Sequence, residues 1–224
     1  MPSTPWVSTG FDWVLMGLAL LSLGLAARWL PWFKLRRDNE AQHVYFAGIV
    51  CLVALRFAVF DKIPGLSLHF FGAAIATLMY GPAFALWAMA FSVGVAALAG
   101  AGVWLGMAAD FVTGGLLPVA WMQCQHWLIR RRLPNNVFVY VFATAFLGGA
   151  LSVLIAQLAR AATVAWMVDG ASAQAAHNFL ISAPMMMFGE AFFTGGAMAL
   201  MVAYRPQWVA SFDDDVYLKP PADE

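Results

Sequence analysis

The feature that most constrains this chain is a series of long apolar runs, each bounded by proline, glycine or a cluster of charge. A transmembrane helix needs about 20 mostly apolar residues. Seven candidate spans can be read, at 11–30, 43–60, 66–80, 82–99, 103–129, 137–168 and 179–204. The first stops at Pro31 and the basic stretch KLRRDNE, the second at DKIPG and the fifth at RRRLPNN. The apolar stretch 66–100 is too long for one span, and Gly81-Pro82 is its natural break. The composition agrees. Hydrophobic residues make up 62% of the 224, against about 45–50% in soluble proteins. Charged residues make up 11%, and the mean hydropathy is +0.75. The expected fold class is therefore all-α, a polytopic bundle of about seven transmembrane helices. It forms a single domain over 1–210, followed by a cytoplasmic tail at 211–224.

Charge excludes some functions and sets an orientation. Twelve Lys and Arg balance twelve Asp and Glu, which leaves no basic excess to neutralise nucleic acid. With the N-terminus outside, Arg28, Lys34, Arg36, Arg37, Arg130, Arg131, Arg132, Arg205 and Lys219 fall on the inner side, and Lys62 alone falls outside. The positive-inside rule then places the N-terminus in the periplasm and the C-terminus in the cytoplasm of a bacterial inner membrane. The first run lacks a basic n-region and does not read as a signal peptide. Cys51 and Cys124 show no CxxC or zinc-type spacing and read as small buried hydrophobes.

Motifs for soluble catalysis are missing. Gly-Lys never occurs, so there is no P-loop, and HExxH and GxSxG are absent too. No enzymatic activity and no tightly bound cofactor are expected. What remains are ionisable residues inside the spans: Arg56, Asp110, Arg160 and Glu190. Each costs about 2.5–3.5 kcal/mol at the membrane centre on the insertion scale. Arg56, Asp110 and Glu190 therefore face the interior, as a transport pathway or as structural pairs such as Arg56 with Asp110 or Glu190. Arg160 reads as an interfacial residue that snorkels. His69, at the outer start of the short third span, is the candidate metal ligand; a hydrogen-bonded core histidine is the plainer alternative. His43, His126 and His177 sit near span ends, where an interfacial role suffices. Met185-Met186-Met187 cannot converge on one soft ion, because consecutive helical residues point different ways. The small residues of AFLGGA (145–150) and AFFTGGA (191–197) read as helix-packing faces.

The segment PGLSLHFFGAAIATLMYGPAFALWAMAF resembles the cobalt/nickel substrate-binding membrane component of energy-coupling-factor ABC transporters, the CbiM-like permeases. GMAADFVTGGLLPV and FGEAFFTGG resemble later motifs of that family, in the same order and spacing. LPNNVFVYVFATAFLGGAL and YRPQWVASFDDDVYL resemble a proteobacterial branch. The likeness runs from about Val14 to Leu218. It implies a seven-helix fold with the N-terminus outside. It also implies a divalent ion bound by an N-terminal Met-His and by a histidine that aligns with His69. This chain keeps His69 but begins Met1-Pro2-Ser3. Proline supplies neither an imidazole nor a peptide N–H, so the family's Met-His donor set cannot form. Asp110 stands where the family usually has asparagine.

The resemblance implies a substrate-recognising permease for a transition-metal ion such as cobalt or nickel. A coupling membrane protein and cytoplasmic ATPases would power it. The changed N-terminus keeps two alternatives open: a permease for a different small substrate, or a non-transporting membrane protein that assembles with or regulates a membrane complex.

Overall fold

The computed structural model describes residues 10–31, 33, 37–58, 60–63, 66–68, 72–100, 106–167 and 172–218. α1 (Gly10–Trp29) ends ahead of Pro31, whose ring disfavours the helical conformation in the preceding residue. α2 (Asn39–Phe57) is capped by Asp38, whose carboxylate accepts from Ala41 N at 3.0 Å. A short antiparallel hairpin follows, β1 (Phe60–Ile63) against β2 (Leu66–Leu68). α3 (Ala73–Tyr80) and α4 (Pro82–Leu98) flank Gly81, which has φ 81° and hands over to Pro82 in the first turn of α4. α5 covers 107–132, with one widened π segment at Val112–Leu116 between Met107–Phe111 and Leu117–Arg132. α6 covers 139–167 and begins with a π segment, Val139–Leu147. α7 (Ser172–Tyr204) runs through Pro184 without a break. A 3₁₀ turn (Pro206–Trp208) and α8 (Asp214–Tyr217) close the described chain.

The molecule is an all-α polytopic membrane protein. Among the described residues, Gly10–Trp29, Asn39–Phe57, Val139–Trp166 and Ala176–Tyr204 are long and apolar enough to cross a bilayer, and Pro82–Leu98 is a shorter apolar helix. Its outer face is apolar: Trp13, Trp29, Phe138 and Trp166 are exposed. Its interior is built from small residues. Ala73, Ala74, Ala85, Ala88, Ala145 and Ala156 are fully buried, which lets helix backbones approach closely. α6 and α7 pack along their length. A Cβ on Gly149 would meet the Glu190 carbonyl at 3.1 Å, and one on Gly195 would overlap the Phe146 ring, so these glycines of the two small-residue motifs do lie at a packing face.

Two local readings of the sequence need correction. The expected third helix over 66–80 is a strand at Leu66–Leu68 and a helix only from Ala73. Gly72 lies between them at φ 65°, a conformation no right-handed helix can include. Eight helical residues rise only about 12 Å, so α3 is a half-span. The apolar run conceals this because short apolar stretches fit strand and helix equally. Cys51 and Cys124 are exposed on the outer face and unpaired. A small thiol facing lipid costs nothing, so burial is not demanded of it.

The described part of the expected tail, 211–218, and the residues just before it pack against the bundle. Ala210 N donates to Met79 O (2.9 Å) and Ser211 N to Leu78 O (3.1 Å). Those carbonyls lie at the C-terminal end of α3, where the break at Gly81 leaves helix acceptors without a next turn. Phe212 and Tyr217 stack at 5.0 Å, and both meet the buried Tyr140 ring edge-on. Aromatic area hidden among polar neighbours drives this docking.

Candidate functional site

The intramembrane charges occupy two places. Arg56, in the last turn of α2, donates from Nη1 to Asp110 Oδ2 at 2.5 Å. Arg160, on α6, pairs with the other oxygen, Asp110 Oδ1. Arg56 Nε also donates to Ser92 Oγ on α4 (3.1 Å), and Ser92 donates to Met89 O (2.9 Å). One carboxylate thus ties α2, α5 and α6 together, with α4 attached through Ser92. The widened turns at Val112–Leu116 begin just after Asp110. The Arg56 and Arg160 side chains are 6% and 11% exposed, and that of Asp110 is 31% exposed. Removing the carboxylate would leave buried guanidinium groups uncompensated, which typically costs about 3–5 kcal/mol.

From the sequence Arg160 is expected to snorkel; its guanidinium instead turns into the network, where the Asp110 carboxylate gives it a charged partner. Sequence reasoning offers the Arg56–Asp110 pair among its alternatives, as the structure has it, and does not offer the Arg160–Asp110 pair. The signal available was the geometry of Asp110, whose two oxygens can serve two arginines on different helices.

Glu190 is fully buried on α7 and serves a different element. Its Oε1 accepts from Gly72 N at 2.9 Å. Gly72 caps the N-terminal end of α3, where backbone N–H groups lack helical acceptors and the helix dipole favours negative charge. The carboxylate therefore anchors the residue from which the chain enters α3. A side chain on Gly72 would run into Leu52 as well as straining the backbone. Other buried polar groups lie along α6 and α7: Gln157 Nε2 donates to Ser182 Oγ at 3.2 Å, and Thr194 is fully buried.

His69 lies outside the described residues, as do Met1, Pro2 and Ser3. Among the described residues no group of three His, Cys, Asp or Glu converges as a metal cage. The methionine triplet diverges as helical geometry requires: Met186 is buried and Met185 exposed. His126, expected at an interface, is buried at 8% exposure against the edge of Tyr140.

The fold is shared with known proteins. No curated protein matches the chain by sequence. A solved structure of a transition metal transporter shares the fold at a TM-score of 0.70 and 15% identity, covering 89% of this chain and 91% of that one. A truncated transition metal transporter does so at 0.69 and 15%, covering 90% and 97%. The family model for the cobalt uptake substrate-specific transmembrane region, CbiM, matches residues 8–208. The chain, with its broken third helix anchored by Glu190 and its arginine-bridged Asp110, belongs to the CbiM family.

Proposed function

We propose that this protein is the substrate-recognition membrane component of an energy-coupling-factor ABC uptake transporter for a transition-metal ion of the cobalt or nickel type. Membership of the cobalt-uptake family over residues 8–208 is the observation that carries the reading. The buried Glu190–Gly72 hydrogen bond supports it locally, since it fixes the C-terminal end of the His69-Phe70-Phe71-Gly72 sequence. In this reading His69 is a ligand of the transported ion, and an imidazole suits cobalt, nickel, zinc or copper. In the same reading Glu190 is a transport-pathway residue. Asp110 and Arg56 are committed to each other and shape the pathway wall without binding the ion. A coupling membrane protein and cytoplasmic ATPases complete the transporter, with the N-terminus periplasmic and the C-terminus cytoplasmic.

Pro2 removes the Met-His donors, so the ion is held more weakly than in a Met-His relative, or the preferred ion differs. Titrating the wild type, His69→Ala and Pro2→His with Ni²⁺, Co²⁺, Zn²⁺ and Cu⁺ tests the reading. Loss of binding in His69→Ala and a gain in Pro2→His are expected. Unchanged binding in His69→Ala would move the site elsewhere. No binding of any of these ions by the wild type would favour the second reading, a membrane protein that assembles with or regulates a complex without transport. The arginine-satisfied state of Asp110 is the observation on that side, since it resembles a structural pairing more than an open ion route.

A further inference from the structure

The arginine-rich end of the bundle carries a cleft of about 570 Å³ where α5 ends beside the α3–α4 break and the docked C-terminal segment. Arg130, Arg131, Gln123, Asn135, His126 and Ser211 are among its lining residues. The Arg131 guanidinium lies over the Trp127 ring at 4.1 Å, which holds it to one side of the cleft. His126 is 8% exposed, and its Nδ1 is buried with no hydrogen-bond partner within the described protein. No Asp or Glu is among the described residues that line the cleft.

An apolar groove of about 390 Å³ adjoins it, sharing Pro82, Gln123 and Trp127. Leu86 of α4 and Leu116, Val119, Ala120 and Cys124 of α5 line this groove. Leu117, Ala120 and Cys124 are exposed, so the groove opens on the outer, lipid-facing side of α5. A cationic chamber at the end of a bundle, continuous with an apolar trough along its side, matches one chemistry: an acidic headgroup with an attached hydrocarbon chain. A free anion would use the chamber alone, and a neutral lipid the trough alone.

We propose that this end of the bundle binds an anionic phospholipid of the adjoining leaflet. Its phosphate sits in the cleft among Arg130, Arg131 and His126, and one acyl chain lies along the groove between α4 and α5. Arg132 carries the same charge in the same turn but does not line the cleft, which separates a site from a merely basic helix end.

Binding of phosphatidylglycerol, phosphatidylcholine and inorganic phosphate to the purified full chain in detergent tests this, by native mass spectrometry with thermal melting in parallel. Phosphatidylglycerol is expected to bind best and to raise the melting temperature. The Arg130→Gln/Arg131→Gln double variant should bind it about thirtyfold more weakly. Arg132→Gln should bind as the wild type does. Ala120→Trp, which fills the groove and keeps every charge, should weaken phosphatidylglycerol while leaving phosphate untouched; it also covers the case in which the double variant fails to fold. Equal binding of the two lipids overturns the proposal, as it would if the true occupant were an acidic segment of a partner protein. Retention of phosphatidylglycerol by Ala120→Trp overturns it in favour of a free-anion site.

Discussion

Asp110 and Glu190 are both carboxylates set inside an apolar bundle, and the fold satisfies them by different means. Asp110 is held by side chains: the Arg56 and Arg160 guanidinium groups take its two oxygens, and three helices meet there. Glu190 reaches main chain: its Oε1 accepts from Gly72 N, at the entrance to a half-length helix. Charge paired with charge, once dehydrated, is rigid, and breaking it leaves a costly remainder. A carboxylate on a backbone N–H positions a chain segment. Asp110 is thus a clamp between helices, and Glu190 an anchor for the start of α3; the proposed function adds a pathway role to Glu190 alone.

The sharpest way to break this comparison is Asp110→Ala. It leaves Arg56 and Arg160 buried without their carboxylate, and a loss of about 3–5 kcal/mol is expected. The melting temperature and the monodisperse yield of the detergent-purified protein measure it. A variant as stable as the wild type would show that the pairing does no structural service. Gly72→Ala comes next, costing about 1–2 kcal/mol for the left-handed conformation, with the Leu52 contact added. If the same substitution at the exposed Gly10, where a Cβ meets nothing, costs as much, the strain argument fails.

Glu190→Gln keeps an acceptor for Gly72 N and removes the charge, so about 1 kcal/mol of stability should be lost. Metal affinity, measured by titration, should fall by more than that stability change accounts for. Parallel losses in Asp110→Asn and Glu190→Gln would erase the distinction between the clamp and the proposed pathway residue. Ser92→Ala is the smallest expected effect, about 0.5–1.5 kcal/mol for the hydrogen bond to Arg56 Nε. Its addition to Asp110→Ala should be less than additive, because the two belong to one network. A double-mutant cycle on melting curves reads this coupling.

Much of the fold was legible from the chain alone because lipid imposes one dominant rule. A backbone without water must satisfy itself, so each long apolar run becomes a helix. The same rule singled out Arg56, Asp110, Arg160 and Glu190, since any charge in such a run needs a reason. The rule weakens where a strand or a left-handed residue interrupts an apolar run. Residues 66–68 are a strand within a run as apolar as a helix, and the left-handed Gly72 ahead of α3 is invisible to periodicity. The C-terminal segment also misleads by composition. Asp213, Asp214 and Asp215 make it look solvated, while Phe212 and Tyr217 close over Tyr140.

What the sequence determined by itself was the medium, the helical class and the inventory of buried charges, because each follows from the free energy of moving a side chain between water and hydrocarbon. Which carboxylate takes which partner was decided only by tertiary structure. Arg56, Asp110 and Arg160 lie on three helices and Glu190 and Gly72 on two distant segments, and sequence separation carries no information on how those helices are rotated against one another. That rotation is set by alanine and glycine contacts summed over the whole bundle, each too small to read from any one position.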